Sequence, residues 1–203
     1  MKVPFRQQAS EYDCVPTSLL NGLSYLFDKK EIPPSVIQRI YKNSLDQLEY
    51  SGTSGRAIEE ISYMLSGYAE AKYKSFRVKS DFIVGSQVHL RQKSKIIDCI
   101  KSKGVALLRV HLTLDDWHYI LAFDTDDEWL YCFDPSPSSK KYLNDLDVIF
   151  VKRACNQDPN LIINYKWLEK AAEIEDFSES KISDHKYIFG PKSERRCLLL
   201  NRL

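Results

Sequence analysis

The spacing of hydrophobic residues changes character near residue 72. Before that point, apolar side chains recur three and four residues apart, as in helices with one buried face. After it, most apolar segments are short, are bounded by turn residues, and either alternate in polarity or are continuously apolar, as in strands. Helices first and strands joined by short turns afterwards predict an α+β fold, in which an N-terminal helical part packs on an antiparallel sheet.

The expected elements follow from these patterns. Helices are predicted over residues 16–28, from Val36 to about Asn43, and from Ser94 to Gly104. Between the last two, another helix ending at Gly67 is predicted, with a buried face formed by Ala57, Ile58, Ile61 and Leu65. Thr53 or Ser54 is expected to cap this helix. Strands are predicted around Phe76 and Val78 and over 105–112, 118–123, 128–133 and 148–152, whereas 82–92 fits neither pattern clearly.

The 203 residues are too few for two full domains, so 1–203 is predicted to form one domain. Residues 155–203 are expected to pack on it as a C-terminal extension, with a turn at Asp158-Pro159, a helix over 161–173, and strands over 187–189 and 197–200.

Composition excludes several classes of protein. The 29 lysines and arginines nearly balance the 28 aspartates and glutamates, so no overall field draws the chain to nucleic acid. No apolar run is long enough for a membrane span or a signal peptide, which predicts a cytoplasmic location. The five cysteines form no C-x-x-C pair and the histidines have no ligand-like spacing, so we expect free thiols and neither a metal nor a cofactor.

Cys14 lies where a helix is about to begin. Proline is favoured in a first helical turn, and Val15 before Pro16 is biased away from helical angles, so the helix should start between Cys14 and Pro16. The positive end of the helix dipole favours the thiolate, which is the nucleophilic form of cysteine. A buried cysteine near a helix is more often a small hydrophobic residue, however, so a catalytic reading requires a base.

His118 and Asp134 are the candidate base and the residue that orients it. His118 opens one predicted strand and Asp134 closes the next, with the turn Asp124-Thr125-Asp126-Asp127 between them. In an antiparallel hairpin centred near Asp126, His118 and Asp134 lie directly opposite each other. Asp134 would then fix the imidazole tautomer while the other ring nitrogen faces Cys14. Taken singly, a histidine on a strand and an Asp-Pro pair are ordinary structural features.

Gln8, six residues before Cys14, supplies an amide N–H₂ that can stabilise an oxyanion together with the backbone N–H of Cys14. Trp117, next to the base, is either a packed hydrophobic residue or a shield that keeps water from the histidine.

Gln8, Asp13-Cys14, and the spacing of His118 and Asp134 resemble the bacteriocin-processing peptidases, a papain-like family that cleaves double-glycine leader peptides. The resemblance covers about residues 5–153 and implies a papain-like fold with the cysteine helix in the cleft. It also implies that Gln8, Cys14, His118 and Asp134 act as oxyanion donor, nucleophile, base and orienting residue. Val15 stands where the family usually has glycine, and no transporter segment or phosphate-binding loop is present, so the free-standing branch is the better match.

The sequence therefore predicts a cysteine peptidase-like hydrolase that cleaves a peptide or amide bond in a peptide or protein substrate. Three alternatives stay open: an acyltransferase using the same triad, a catalytically silent peptide-binding module, and an enzyme that modifies one particular host protein. Residues 45–92 are expected to form a lid or a substrate wall.

Overall fold

The computed structural model describes residues 3–46, 52–112, 116–136, 146–151, 157–170 and 187–203. Within these ranges, helices and strands follow one another as an α+β fold, as the change in hydrophobic spacing predicts. The strands form one antiparallel sheet in the order β1-β7-β2-β3-β4-β6-β5. Their bounds are β1 Val78–Val84, β2 Val105–His111, β3 Trp117–Thr125, β4 Trp129–Phe133, β5 Val148–Phe150, β6 Leu161–Asn164 and β7 Arg196–Arg202.

The helices cover both faces of the sheet. Their bounds are α1 Cys14–Leu26, α2 Pro34–Asn43, α3 Gly55–Ser66, α4 Lys95–Lys101 and α5 Tyr165–Leu168, and single 3₁₀ turns lie at Ala71–Tyr73, Gly85–Gln87 and Lys192–Glu194. The first three helices share one hydrophobic core with the sheet, and the last two share a second core on its opposite face. In the part of the chain that the structure describes, no helix is long and apolar enough to cross a membrane.

The helix that begins at Cys14 lies directly on the sheet. A side chain at Gly22 would lie 3.2 Å from both Leu121 and Val105, so this small residue permits the close approach. Nearer the helix start, the buried Ser18 hydroxyl donates to the Tyr119 carbonyl over 3.2 Å. These contacts join the beginning of α1 to the beginning of β3, which are the two elements that carry Cys14 and His118.

The predicted helix caps are confirmed. The Ser54 hydroxyl accepts from the Ala57 N–H over 3.1 Å at the start of α3, and Ser94 caps α4 in the same way. Helix α1 starts at Cys14 rather than at Pro16, because Val15 and Pro16 belong to its first turn.

The predicted helix over 161–173 is wrong for its first four residues, whereas Tyr165–Leu168 is helical as predicted. Leu161–Asn164 forms β6, since Leu161 and Ile163 face the core while the alternate residues are half-buried. Asn164 then caps the four-residue helix α5 by accepting from the Lys166 N–H over 2.9 Å. The residues of the predicted helix beyond Lys170 lie outside the described ranges.

Residues after 155 do more than pack on a completed domain. The predicted strand over 197–200 exists as β7, but it lies between β1 and β2 inside the sheet. Its residues Cys197 to Leu200 are all buried because helices cover both faces there. Of the predicted strand over 187–189, only Ile188 pairs, through a single bridge to His111. Cys155 lies outside the described residues.

Residues 45–92 contribute mainly to the same architecture. Helix α3 packs on β1, which forms one edge of the sheet. The hydroxyls of Ser62 and Ser80 hydrogen bond over 2.5 Å between these two elements. The segment is therefore largely a helix and an edge strand rather than a lid, and residues 47–51 within it are not described.

Candidate active site

Cys14 is the first residue of α1 and is 9% exposed. The first N–H groups of a helix have no intrahelical acceptor, so Cys14 lies at the positive end of the helix dipole. The sequence prediction of a thiol at a helix start is confirmed.

The segment before Cys14 is folded around the Asp13 carboxylate. Asp13 occupies the N-cap position but does not cap the helix with its side chain. Its carboxylate instead accepts from the Ala9 N–H over 3.0 Å and from the Ser10 N–H and hydroxyl, each over 2.7 Å. Partial burial raises the pKa of Asp13, but these hydrogen bonds outweigh it and hold the pKa below its ordinary value. The ionised carboxylate thus fixes the turn that presents Gln8.

Gln8 lies between this turn and the residues that follow Asp134. Its backbone N–H donates to the Pro135 carbonyl over 2.9 Å, and its side-chain Nε2 donates to the Ser10 carbonyl over 2.8 Å. The Oε1 atom is buried and has no hydrogen-bond partner among the described residues. One Nε2 hydrogen is engaged by Ser10, and the second is left for another acceptor.

His118 and Asp134 meet as predicted. The His118 Nε2 and Asp134 Oδ1 atoms are 2.6 Å apart, and the two residues are only 5% and 3% exposed. Because Asp134 engages Nε2, Nδ1 is the ring nitrogen left for Cys14, and His118 and Cys14 share a side-chain hydrogen bond. The three residues therefore form one chain of contacts from thiol to carboxylate.

The hairpin register that led to this pair is not the predicted one. Leu121 pairs with Phe133 and Ala122 with Cys132, so continuing the ladder places Asp134 opposite residue 120 rather than His118. The Asp126 carboxylate accepts from the Glu128 and Trp129 N–H groups, and Thr125 pairs with Leu130, so the register next to the turn is displaced by three residues from the predicted one. An irregularity between Ala122 and Asp124 takes back one residue, which leaves an offset of two. A two-residue offset keeps both side chains on one face, so they meet diagonally.

Burial and charge act on His118 in opposite directions. Burial disfavours the cation and lowers its pKa, whereas the charge of Asp134, its hydrogen bond and the contact with Cys14 raise it, and the pKa rises to about 10. An imidazolium held this way is a proton donor next to the sulfur and stabilises a thiolate there.

Asp134 is held by three groups that sequence reasoning missed. Its Oδ1 also accepts from the Ser136 N–H over 2.8 Å, and its Oδ2 accepts from the Tyr187 hydroxyl. The Asn160 side chain accepts from the Asp134 N–H over 2.7 Å and donates to its carbonyl over 2.8 Å. Asn160 and Tyr187 lie 26 and 53 residues away in sequence, and no local pattern signals their approach.

Trp117 lies at the surface beside the base. It is 47% exposed, and the guanidinium carbon of Arg109 lies 3.5 Å from its ring centre. It contacts the Arg109 guanidinium from the neighbouring strand, and its predicted shielding of the histidine stays a prediction.

The other described cysteines are poorly suited to nucleophilic chemistry. Burial raises the pKa of Cys99 to about 11 and raises those of Cys132 and Cys197 well above the ordinary value. All three are buried in the second core, and every described cysteine is a free thiol. Among the described residues, no cluster of histidine, cysteine and carboxylate side chains is arranged to hold a metal ion.

Two cavities, of about 610 and 380 Å³, lie away from these residues. Both are lined by Leu203, and the larger also by Arg202, at the opposite end of β7 from Arg196. Neither cavity is lined by Cys14 or His118. The candidate active site is therefore identified by the chemistry of its side chains and not by a cavity.

Comparison with known proteins adds no assignment. No model of a protein family matches the chain. A search of curated proteins finds no significant match. A function must therefore be argued from the residues themselves.

A variant with Cys14→Ala is expected to lose folding stability as the pH rises above about 6.5. In the unchanged protein, a proton can pass between the Cys14 sulfur and the His118 imidazole. When the thiol is removed, His118 titrates as the partner of Asp134 alone. The histidine pKa is raised by Asp134 in the folded state and is about 6.5 in an unfolded chain. The protonated histidine therefore stabilises the folded state fully below about pH 6.5. This contribution to the free energy of unfolding declines above that pH, by at most about 1.4 kcal/mol per pH unit.

Urea denaturation from pH 6 to 8.5 measures this decline, since unfolded cysteines begin to titrate only near pH 8.5. The matched control adds His118→Gln and is expected to be flat over the same interval. Equal slopes in the two variants would contradict the raised pKa.

Proposed function

We propose that the protein is a papain-like cysteine peptidase or amide hydrolase that acts on a peptide or protein. The observation that carries the proposal is the buried contact chain Cys14–His118–Asp134, with 2.6 Å between imidazole and carboxylate. A nucleophile, a base and an orienting carboxylate in contact are the minimal apparatus for acyl transfer through a thioester. Its placement, with the nucleophile starting a helix and the base starting an adjacent strand, supports the papain-like arrangement.

The reaction begins when the Cys14 thiolate attacks the carbonyl carbon of the scissile bond. The carbonyl oxygen becomes an oxyanion, for which the Cys14 backbone N–H and the second Nε2 hydrogen of Gln8 are the donors. As the C–N bond breaks, the His118 imidazolium gives its Nδ1 proton to the leaving amine, and the acyl group remains on sulfur as a thioester.

Neutral His118 then removes a proton from water, and the resulting hydroxide attacks the thioester. The C–S bond breaks, the carboxylic acid leaves, and the thiolate and imidazolium are restored. Asp134 stabilises the imidazolium in both half-reactions.

The pattern Gln8, Asp13-Cys14, His118 and Asp134 favours a relationship to the bacteriocin-processing peptidases. Val15, which stands where that family usually has glycine, is 1% exposed and lies in the core beneath the helix start. The substrate is therefore proposed only as a peptide or amide, without a requirement for a double-glycine site.

The proposal is tested by the reaction of Cys14 with iodoacetamide between pH 5 and 10, followed by mass spectrometry of each cysteine. We expect Cys14 to be alkylated well below pH 8.5, where an ordinary thiol becomes reactive, and His118→Ala to remove that advantage. Denatured protein supplies the ordinary thiols for comparison. If Cys14 reacts like these and His118→Ala changes nothing, the proposed function fails.

Turnover is tested separately with a fluorogenic peptide library that includes double-glycine sequences, in the presence and absence of an added amine. Release of the carboxylic acid identifies a hydrolase, and accumulation of the amide of the added amine identifies an acyltransferase. Fast Cys14 alkylation without either product identifies a silent binding module.

A further inference from the structure

The carboxylate that orients the base is bound from its far side by a tyrosine from a distant part of the chain. Tyr187 is 3% exposed, and its hydroxyl donates to Oδ2 of Asp134, while Oδ1 of the same carboxylate faces His118. The hydroxyl, the carboxylate, the imidazole and the thiol thus form one continuous buried series.

We infer that Tyr187 is a positioning residue of the active site, which fixes the Asp134 carboxylate so that Oδ1 is held against His118. The effect of Tyr187 on catalysis rests on the proposed function. The contacts that link the Tyr187 hydroxyl, the Asp134 carboxylate, the imidazole and the thiol do not depend on it. A carboxylate can rotate about its terminal bond, and a donor on each oxygen removes that freedom.

The backbone of Tyr187 is fixed independently of its hydroxyl. Its N–H donates to the His111 carbonyl over 2.8 Å, and the His111 N–H donates to the Ile188 carbonyl over the same distance. Its ring lies against Phe150, with 5.9 Å between ring centres. Tyr187 therefore reaches Asp134 from a segment docked on the end of β2, the strand that pairs with the strand of His118.

Tyr187 also has a left-handed backbone conformation, with φ at +70°. Bulky residues rarely adopt this region, and such conformations persist only where surrounding contacts enforce them, which is common at functional sites. A glycine would relieve the conformation but would lose the hydroxyl. The tyrosine in this conformation provides the hydroxyl that contacts Asp134.

Ionisable groups from several elements lie around Asp134 in the described part of the chain. His118 and Tyr187 contact its two oxygens, and the charge of Asp134 also acts on Cys132 from the same strand, while Cys14 lies beyond the imidazole. The loss of the Tyr187 hydroxyl is expected to act through the coupled pair of His118 and Cys14, because the imidazolium stabilises the adjacent thiolate.

The test is Tyr187→Phe, which keeps the ring and deletes the hydroxyl. A less constrained carboxylate stabilises the imidazolium less well, so the pH of half-maximal Cys14 alkylation is expected to rise by about half a unit or more, with turnover of any cleaved peptide falling about tenfold. The effect on turnover should appear in kcat rather than in KM, because Tyr187 lies behind Asp134 and away from the substrate.

The matched control is Tyr131→Phe, which deletes a hydroxyl that donates to the exposed Asp126 carboxylate over 2.8 Å. It is expected to leave the alkylation profile unchanged, and urea denaturation verifies that both variants fold. An alkylation profile and kcat of Tyr187→Phe identical to those of the unchanged protein would overturn the inference.

Alkylation requires no peptide substrate, so the two proposals can fail separately. If the unchanged protein shows His118-dependent alkylation but cleaves nothing, the peptidase proposal fails and Tyr187 is still judged by its profile. If peptides are cleaved and Tyr187→Phe behaves like Tyr131→Phe, only the inference about Tyr187 fails.

Discussion

Cys14→Ala is expected to reduce kcat for peptide cleavage by about 10⁶-fold, the scale found when a triad nucleophile is removed. Without sulfur no thioester forms, and the remaining oxyanion donors can assist only direct attack by water. The fold should persist, because the substitution removes one small atom from a residue at the edge of the core, which typically costs about 1 kcal/mol. Hydrolysis kinetics and urea denaturation of the same preparation measure both effects.

Cys197→Ala is the matched control. It deletes an equivalent sulfur from β7, where burial raises the pKa of the thiol and keeps it protonated. We expect a stability loss of similar size with kcat unchanged. Substantial residual cleavage by Cys14→Ala, or a large loss in Cys197→Ala, would show that another thiol performs the chemistry.

Asp134→Ala is expected to affect stability as strongly as activity. The substitution leaves a buried imidazole and a buried tyrosine hydroxyl without the oxygen atoms that they contact. Removing one member of a buried charge pair typically costs about 3–5 kcal/mol. Urea denaturation near pH 6 should show the largest loss, because the unfolded histidine is largely protonated there whereas burial without the carboxylate disfavours the imidazolium.

Asp134→Asn separates orientation from stability. The amide can hydrogen bond to both neighbours, so its stability loss should be clearly smaller than that of Asp134→Ala. It cannot stabilise the imidazolium and favours the wrong tautomer, which in a comparable triad reduces kcat about 10⁴-fold. If Asp134→Asn cleaves peptides at the unchanged rate, Asp134 has no role in the reaction.

Much of the site could be predicted because its elements are specified by residues that are close together in the sequence. Val15 and Pro16 mark a helix start, and the turn after Thr125 brings the beginning of β3 to the end of β4. The register was predicted less well, since the turn held by the Asp126 side chain displaces the pairing by three residues and a ladder irregularity reduces this offset to two. Side-chain alternation preserved the contact despite that shift, because an even offset does not change the face of the sheet.

The contributions from residues after 155 could not be predicted in the same way. Asn160 and Tyr187 reach Asp134 through tertiary packing, and neither lies in a motif. Residues 161–164 carry apolar positions compatible with a helix or a strand, and only pairing with β4 and β5 decides between them. Likewise, the apolar run of β7 indicates a buried strand but does not say which neighbours it will have.

The position of β7 determines when the sheet can be completed during synthesis. Among the described strands, β7 is the one that joins β1 to β2, so the sheet remains in two parts until residues 196–202 have emerged from the ribosome. Tyr187 is made only shortly before them. A growing chain therefore carries Cys14, His118 and Asp134 before the complete sheet and the Tyr187 contact to Asp134 can form.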